Sequence, residues 1–442
     1  MKLLKNTITV NAGEENNFLI HPYMGDIYVV GKNEIDLVKK WSEMEEITCE
    51  KNEEKNFLEQ LVQKKFIVAG ETEEKLLEEK TMELARTHHN LQHQNLNSAV
   101  FVITYACNFA CPYCYEEGAL ENTTKIMTEE MVDAVFDLYN GKIDKIALYG
   151  GEPLLPENKK IIEYIISKAP QAEYNVTSNG YYIVEYFQLL RSLKINNIMI
   201  TLDGSKELHN KTRILKDDRK KGTFDKILEG IELLLRNNIN VKIRMNISDK
   251  NKDDCLELRD EFITKYPFQF QNGILKFELQ PIFQLSSKKR DELNEELVYN
   301  LYDKKNSGYY NTMAISVTPI LDSFVNRRRN FVPRYTFCDA EGARRFFDAE
   351  GNIYSCILAL KNKKASVGTY YPKVNMKKDS MLTRNIERIE KCQTCKFKFL
   401  CGGGCANGII DKDGDVMKPN CTILNEVYNV LPKLFSERLK SK

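Results

Sequence analysis

The chain has 442 residues, 42% hydrophobic and 29% charged, with 64 Lys+Arg against 63 Asp+Glu for a net charge of +1. That length allows two or three domains with sizeable cores, and the charge balance argues against a general polyanion binder, nucleic acid included. No apolar run reaches the ~18 residues that suggest a membrane span, and the opening residues 1–18 lack the apolar core of a secretion signal, so a cytoplasmic protein is expected, in which the twelve cysteines stay reduced.

In chain order, residues 17–22 and 26–30 are short apolar stretches joined by Tyr23-Met24-Gly25, which reads as a β-hairpin. Helical stretches over 33–44 and 53–64 follow, then a short strand over 65–70. The order strand, strand, helix, helix, strand resembles the winged-helix-like leader-recognition domains of peptide-modifying enzymes. It implies that residues 1–97 bind a precursor peptide; a generic small α+β appendage has the same pattern. A charged helix over 71–86 and a polar stretch over 87–97 lead onward. His88, His89 and His93 read as part of a solvated linker, because no carboxylate or cysteine partners them locally.

From Ser98 to about residue 318, strands alternate with helices. Strands are expected at 99–104, 145–149, 173–177, 197–202, 241–247 and 275–280, and helices at 128–139, 156–168, 183–192, 223–237 and 253–265. Such βα repetition predicts an α/β fold with a parallel sheet curved toward a barrel, its site at the carboxyl ends of the strands. The loop after the first strand reads Cys107-Asn-Phe-Ala-Cys111-Pro-Tyr-Cys114. Three thiolates on one short loop suit three irons of a [4Fe–4S] cluster and leave the fourth iron without a cysteine. Zinc is the competing reading, since C-x2-C pairs often hold it. The spacing, with Tyr113 before the last cysteine, looks like the signature of the radical S-adenosylmethionine (SAM) enzymes. In that family the free iron chelates SAM, and one electron splits the sulfonium to yield a 5′-deoxyadenosyl radical.

The other motifs fall at strand ends. Gly150-Gly151-Glu152-Pro153 follows the second strand, and paired glycines let backbone approach a ligand closely; in the family this segment contacts the methionine amino group. Ser178-Asn179 follows the third strand and suits a ribose or a turn equally well. After the fourth come Thr201-Leu202-Asp203-Gly204, His209 and Arg213, extended by Gly222-Thr-Phe-Asp225. The stretch resembles the motif of the peptide- and sulfatase-modifying branch, which implies that Thr201 and Arg213 hold SAM; Thr201 stands where serine is more usual. The same resemblance sets Tyr113 against the adenine and brings a contact from Leu279 on the sixth strand.

The remaining zone, 319–442, carries seven more patterned cysteines. Cys338 is followed by twelve residues, Gly351, four residues and Cys356; then come Cys392-x2-Cys395-x5-Cys401-x3-Cys405 and Cys421. Structural zinc in two sites is one reading. In order and interval the seven are very similar to the SPASM domain, which adds auxiliary [4Fe–4S] clusters to peptide maturases. By that resemblance Cys392, Cys395, Cys401 and Cys421 complete one cluster. Cys338, Cys356 and Cys405 hold the other, leaving an iron open to a substrate thiolate, to water or to a non-cysteine ligand. Cys49 and Cys255 lie outside every pattern and read as small buried hydrophobes.

The resemblance spans Ser98 to Cys421. It implies a partial (β/α)6 TIM-like radical SAM barrel between a winged-helix-like domain and a loop-rich SPASM domain, with SAM and three [4Fe–4S] clusters, one SAM-binding and two auxiliary. The implied partners are a ribosomal precursor peptide with its leader and a flavodoxin- or ferredoxin-type electron donor, with neither nucleic acid nor membrane. The implied product is a cross-link, first a thioether and second a C–C or C–O bond; the sequence identifies no catalytic acid or base. The alternatives are an anaerobic sulfatase maturase and a zinc-stabilised peptide-binding protein. Ile357 after Cys356 speaks against the maturase, whose pattern places an aspartate base there.

Overall fold

The computed structural model describes residues 1–13, 15–93, 97–114, 124–282, 331–341, 344–360, 362–413, 415–421, 424 and 426–433. The chain divides into two compact units. One joins Met1–Gln94 to Ser316–Gly342 and Asp379–Lys442, and the other joins Asn95–Ile315 to Ala343–Lys378. The barrel-to-tail boundary expected near residue 318 lies outside the described residues.

In the first unit, β1 (Lys2–Leu3) will pair with a later strand, and β2 (Ile8–Asn11), β3 (Asn17–Ile20) and β4 (Ile27–Val30) form an antiparallel sheet containing the expected hairpin. Helices α1 (Lys32–Ser42) and α2 (Asn52–Gln63) start where a glutamate reaches back to cap them: Glu34 accepts from the Gly31 amide at 2.7 Å, and Glu54 from the Glu50 amide at 2.9 Å. Ile35, Val38 and Trp41 share the buried face of α1, and Trp41 stacks on Phe57 of α2 at 5.7 Å. The strand β5 (Ile67–Val68) closes this subdomain against β1.

Helix α3 runs from Glu71 to His93, so the polar linker expected over 87–97 is helical through His93. Nothing from Thr87 to His93 breaks a helix, and tertiary contacts hold it. The His89 ring lies 4.3 Å from His93 and 5.3 Å from Tyr335, and its Nδ1 is 3.2 Å from the Thr336 hydroxyl. Burial, with His93 beside it, pushes the His89 pKa down to about 4. Leu4, Tyr23, Val68 and Ala85 share one core with Ile386, Ile389, Cys392 and Phe399, so the two chain ends of this unit bury apolar surface against each other.

In the second unit, β6 (Ser98–Thr104), β7 (Lys145–Gly150), β8 (Glu173–Ser178), β9 (Lys194–Thr201), β10 (Val241–Ile247) and β11 (Leu275–Pro281) lie parallel and in sequential order. Between them run α4 (Glu129–Leu138), α5 (Lys159–Lys168), α6 (Ile183–Arg191), α7 (Lys206–Thr212), α8 (Phe224–Arg236), α9 (Lys252–Lys265) and α10 (Pro267–Gln271). Burial on both faces accounts for the unbroken apolar run of β6. Past β6 the sheet continues: β12 (Phe346–Asp348) pairs parallel to it, and β13 (Asn352–Tyr354), β14 (Gly368–Thr369) and β15 (Asn375–Met376) follow antiparallel. The patterned residues after 379 lie in the first unit, in the short helices α11 (Glu390–Gln393), α12 (Lys398–Cys401) and α13 (Asn407–Asp413) and their loops. Among the described residues no helix is long and apolar enough to cross a membrane. Cys255 is fully buried, as expected, and Cys49 is half-buried at the edge of the Trp41 core.

Trp41 is the only tryptophan in the chain. Its fluorescence therefore reports unfolding of the first unit. Phe57→Ala, which removes the stacked ring, should destabilise that unit by about 3–5 kcal/mol, seen as a lower urea midpoint of Trp41 emission.

Candidate functional site

One pocket opens at the carboxyl edge of the parallel sheet. Its wall gathers Cys107, Cys111 and Cys114 with Tyr113, Gly150, Gly151, Ser178, Asn179, Thr201 and Arg213. These come from the carboxyl ends of four parallel strands and from the residue just after α7.

The cysteine loop is pinned from two sides. The Ala110 amide donates to the Ile214 carbonyl at 2.7 Å and the Lys216 amide to the Asn108 carbonyl at 2.9 Å, so the loop pairs with the segment just after Arg213. On the other side, the Gly151 amide donates to the Thr104 carbonyl and the Glu152 amide to the Ala106 carbonyl, at 3.0 and 2.9 Å. A Cβ at Gly150, whose φ is +139°, would sit 2.2 Å from the Thr104 carbonyl oxygen, and one at Gly151 2.5 Å from those of Tyr105 and Ala106. The two glycines are thus required by the close approach of the cysteine loop itself.

Arg213 is 7% exposed, with its guanidinium 5.2 Å from the centre of the Phe109 ring. Its Nη1 donates to the Tyr113 hydroxyl at 3.5 Å; that hydroxyl donates to the Asp203 carboxylate, which also accepts from the Asn246 amide at 2.7 Å. Burial works against the charge on Arg213, yet Cys111, Tyr113 and Asp203 hold its pKa above the usual arginine value. Burial pushes Asp203 up and Arg213 opposes it. Arg213 lines the pocket, and its Nε is buried with no hydrogen-bond partner, so the guanidinium keeps donor capacity. His209 serves as scaffold: the Asp203 amide donates to its Nδ1 at 3.3 Å, and burial, then Arg213, keeps it neutral with a pKa of about 3.

Two of the residues expected to contact SAM lie off the pocket wall. The Glu152 carboxylate is not on the pocket wall; it is fully buried and accepts from the Leu154 amide and Ser178 hydroxyl at 2.8 Å and the Asn179 amide at 2.6 Å. It braces the loop that carries Ser178 and Asn179. Leu279 is wholly buried in β11 and does not line the pocket either. The wall also holds Thr177, beside Ser178 in the same polar turn, and Phe109, Tyr149, Arg244, Asn246 and Ile282, which sequence reasoning missed. The signal was present on β10, where Val241, Ile243, Met245 and Ile247 alternate with Lys242, Arg244 and Asn246. A period of two puts the polar set on the opposite face from the buried one.

In the first unit, Cys392, Cys395, Cys401 and Cys421 are near neighbours. Burial first, with Cys395 and Cys421 adding to it, raises the Cys392 thiol to about 11 and the Cys401 thiol to about 12. Cys338 and Cys405 belong to the same unit and Cys356 to the second. Among the described residues no three His, Cys, Asp or Glu side chains gather round one ion-sized position. Three separate thiols on the pocket wall, and four neighbouring ones in the tail, are donor sets of the kind iron–sulfur clusters take once deprotonated.

Residues 101–262 match the profile of the Radical SAM superfamily. Over 165 residues the chain is 36% identical to the GTP 3′,8-cyclase of Clostridium perfringens, covering 35% of this chain and 48% of that protein. It thus spans about half the length of these curated relatives. The match to the cysteine-type anaerobic sulfatase-maturating enzyme of Clostridium novyi is 24% identical over 331 residues, 68% of this chain and 84% of that protein. In fold, the chain is similar to anSMEcpe with bound AdoMet (TM-score 0.57, 17% identity, 77% of this chain and 98% of that one). It is also similar to Streptococcus suis SuiB bound to its precursor peptide SuiA (TM-score 0.54, 12% identity, 96% and 99%). The radical SAM domain and the mixed α/β fold expected from the sequence are both present.

Burial raises the Glu152 pKa from 4.5 to about 7, against its three hydrogen bonds. The folded chain therefore holds this proton more tightly than the unfolded one. The resulting stability is fully present below about pH 4.5 and is lost as pH rises through about 7. In the iron-free chain Glu152→Gln should flatten that decline, measured as the unfolding midpoint between pH 4.5 and about 7.

Proposed function

We propose that this chain, which carries a radical SAM domain, is an enzyme that cleaves SAM reductively and modifies a ribosomally made precursor peptide. The observation that supports it most is the gathering of Cys107, Cys111 and Cys114 with Gly150, Gly151, Ser178, Asn179, Thr201 and Arg213 on one pocket wall. A peptide substrate is supported by the solved complexes of similar fold, which hold peptides.

Cys107, Cys111 and Cys114 would hold a [4Fe–4S] cluster. Bound there, the cluster and SAM would supply a one-electron reductive cleavage and, through it, a hydrogen-atom acceptor for the peptide. The chain's own residues bind and orient. Arg213, buried beside Asp203, presents a fixed cation and an unused Nε to the SAM carboxylate. Thr201 offers a hydroxyl to the same group. Tyr113, held by Asp203, presents its ring to the adenine, and Ser178 and Asn179, braced by Glu152, suit the ribose. In the tail, Cys392, Cys395, Cys401 and Cys421 would hold one auxiliary cluster and Cys338, Cys356 and Cys405 another with an open iron. Residues 1–97 would take the leader, 98–318 form the barrel and 319–442 the auxiliary domain, with a flavodoxin- or ferredoxin-type donor supplying the electron. The product is a cross-link. A thioether is favoured over a C–C or C–O bond, because an open iron suits a substrate thiolate.

Replacing Cys107, Cys111 and Cys114 by Ala should abolish 5′-deoxyadenosine release under strong anaerobic reduction while iron remains bound in the tail. Chromatography of the quenched reaction decides it, and undiminished release would refute the assignment. Arg213→Ala should weaken SAM binding roughly 10- to 100-fold, the loss expected for a charged hydrogen bond, with peptide affinity little changed. Calorimetric titration with each ligand checks it, and equal losses for both would remove Arg213 from the SAM site.

A further inference from the structure

The tail of the first unit is organised round one side chain that no motif singles out. Arg384 is fully buried and directs five hydrogen bonds to five acceptors. A guanidinium has five N–H donors and no acceptor, so its capacity is used completely. Nε donates to the Val416 carbonyl at 2.8 Å. Nη1 donates to the Glu341 carboxylate and to the Gly404 carbonyl at 2.8 Å. Nη2 donates to the Gly403 carbonyl at 2.6 Å and the Lys418 carbonyl at 3.0 Å.

The acceptors lie on three segments, each carrying patterned cysteines. Glu341 donates its amide to the Cys338 carbonyl at 3.1 Å and accepts from the Phe337 amide at 2.5 Å, closing the turn that holds Cys338. Gly403 and Gly404 lie between Cys401 and Cys405. Val416 and Lys418 lead into Cys421, whose neighbour Asn420 returns two bonds to the same glycine loop, from its amide to Gly403 at 2.9 Å and from Nδ2 to the Cys405 carbonyl at 3.0 Å. The glycine loop leaves no slack: a Cβ at Gly404 would sit 1.8 Å from the Asn420 carbonyl oxygen.

We infer that Arg384 is the positioning residue that sets the cysteine loops of Cys338, Cys401, Cys405 and Cys421 at the spacing their iron–sulfur clusters need. This rests on the proposal that those cysteines bind clusters. These carbonyls sit in loops outside any sheet or long helix; Gly403, which also takes the Asn420 amide, Gly404 and Val416 are buried residues, where a carbonyl left short of donors costs free energy. A single rigid fork satisfies all four together with the Glu341 carboxylate, and fixes their mutual positions. Lysine, with a point charge and three donors, cannot reproduce the fork.

The test uses the full chain with Cys107, Cys111 and Cys114 replaced by Ala, so that bound iron reports the tail alone. After anaerobic reconstitution this parent should hold about eight irons, as two four-iron clusters require. Arg384→Met should lose at least half of that iron and the parent's electron paramagnetic resonance line shape on reduction. Arg384→Lys should fall between the two. Arg388→Met, four residues on and exposed, should match the parent. Unchanged Trp41 emission shows that the first unit is still folded in each variant, and if the Met variant does not accumulate, the Lys variant carries the comparison. Parent-like iron and line shape in Arg384→Lys and Arg384→Met would overturn the inference, as would an equal loss in Arg388→Met. A parent without tail iron would instead remove the auxiliary-cluster proposal on which the inference rests.

Discussion

A guanidinium at the bottom of a pocket, cut off from water, has to be compensated or it will not stay there. Arg213 meets this condition through Asp203 and Tyr113, and much of the site follows from it. Asp203 sits at the end of β9 and takes the Asn246 amide from β10, so compensation of the cation ties two strands together. Tyr113 lies between Cys111 and Cys114, so the same contact ties the cysteine loop to them. Buried opposite charges are a weak source of stability, because desolvation offsets the attraction. The use of the Arg213–Tyr113–Asp203 chain is geometric: it holds the cysteine loop in one place relative to the sheet edge.

That rigid edge is a consequence of parallel topology. Six strands in sequential order end at the same side, and every connection after a strand begins there. The cysteine loop, the Gly150-Gly151 turn and the Ser178-Asn179 turn converge because they occupy equivalent places in successive βα units. Glu152 shows how the turns are coupled. Its carboxylate takes the Ser178 hydroxyl and the Asn179 amide, so the turn after β7 fixes the turn after β8 without touching the pocket.

Much of this was legible in the sequence where the signal is local. The strands and helices of the parallel sheet follow from hydrophobic period, and the pocket cysteines from their spacing. The reading failed where position depends on distant partners. His89 looks solvated until Tyr335 and Thr336 pack against it, and both lie more than two hundred residues away in the chain. Leu279 and Glu152 follow from a family motif, which gives a position in the chain and not the direction of a side chain: Leu279 is wholly buried in β11, and Glu152 accepts from Leu154 and from Ser178 and Asn179 of the next βα unit. The common core of residues near Leu4 and Ile386 has no sequence signature, since apolar period specifies that a face is buried but not against what.

The two buried arginines make opposite use of the same chemistry. Arg384 spends all five donors within the protein, four of them on backbone carbonyls, and so has none left for a ligand. Arg213 makes one long hydrogen bond through Nη1 and keeps its buried Nε without a partner. An unsatisfied buried donor costs about 1–3 kcal/mol, a cost that persists in a fold only where something else offsets it. Arg213 stands in the wall of a pocket lined by three thiols and two glycines, where the SAM carboxylate proposed above would offset that cost. The two side chains thus differ in donor satisfaction: Arg384 is used up within the fold, and Arg213 keeps capacity, as its proposed role in holding SAM requires.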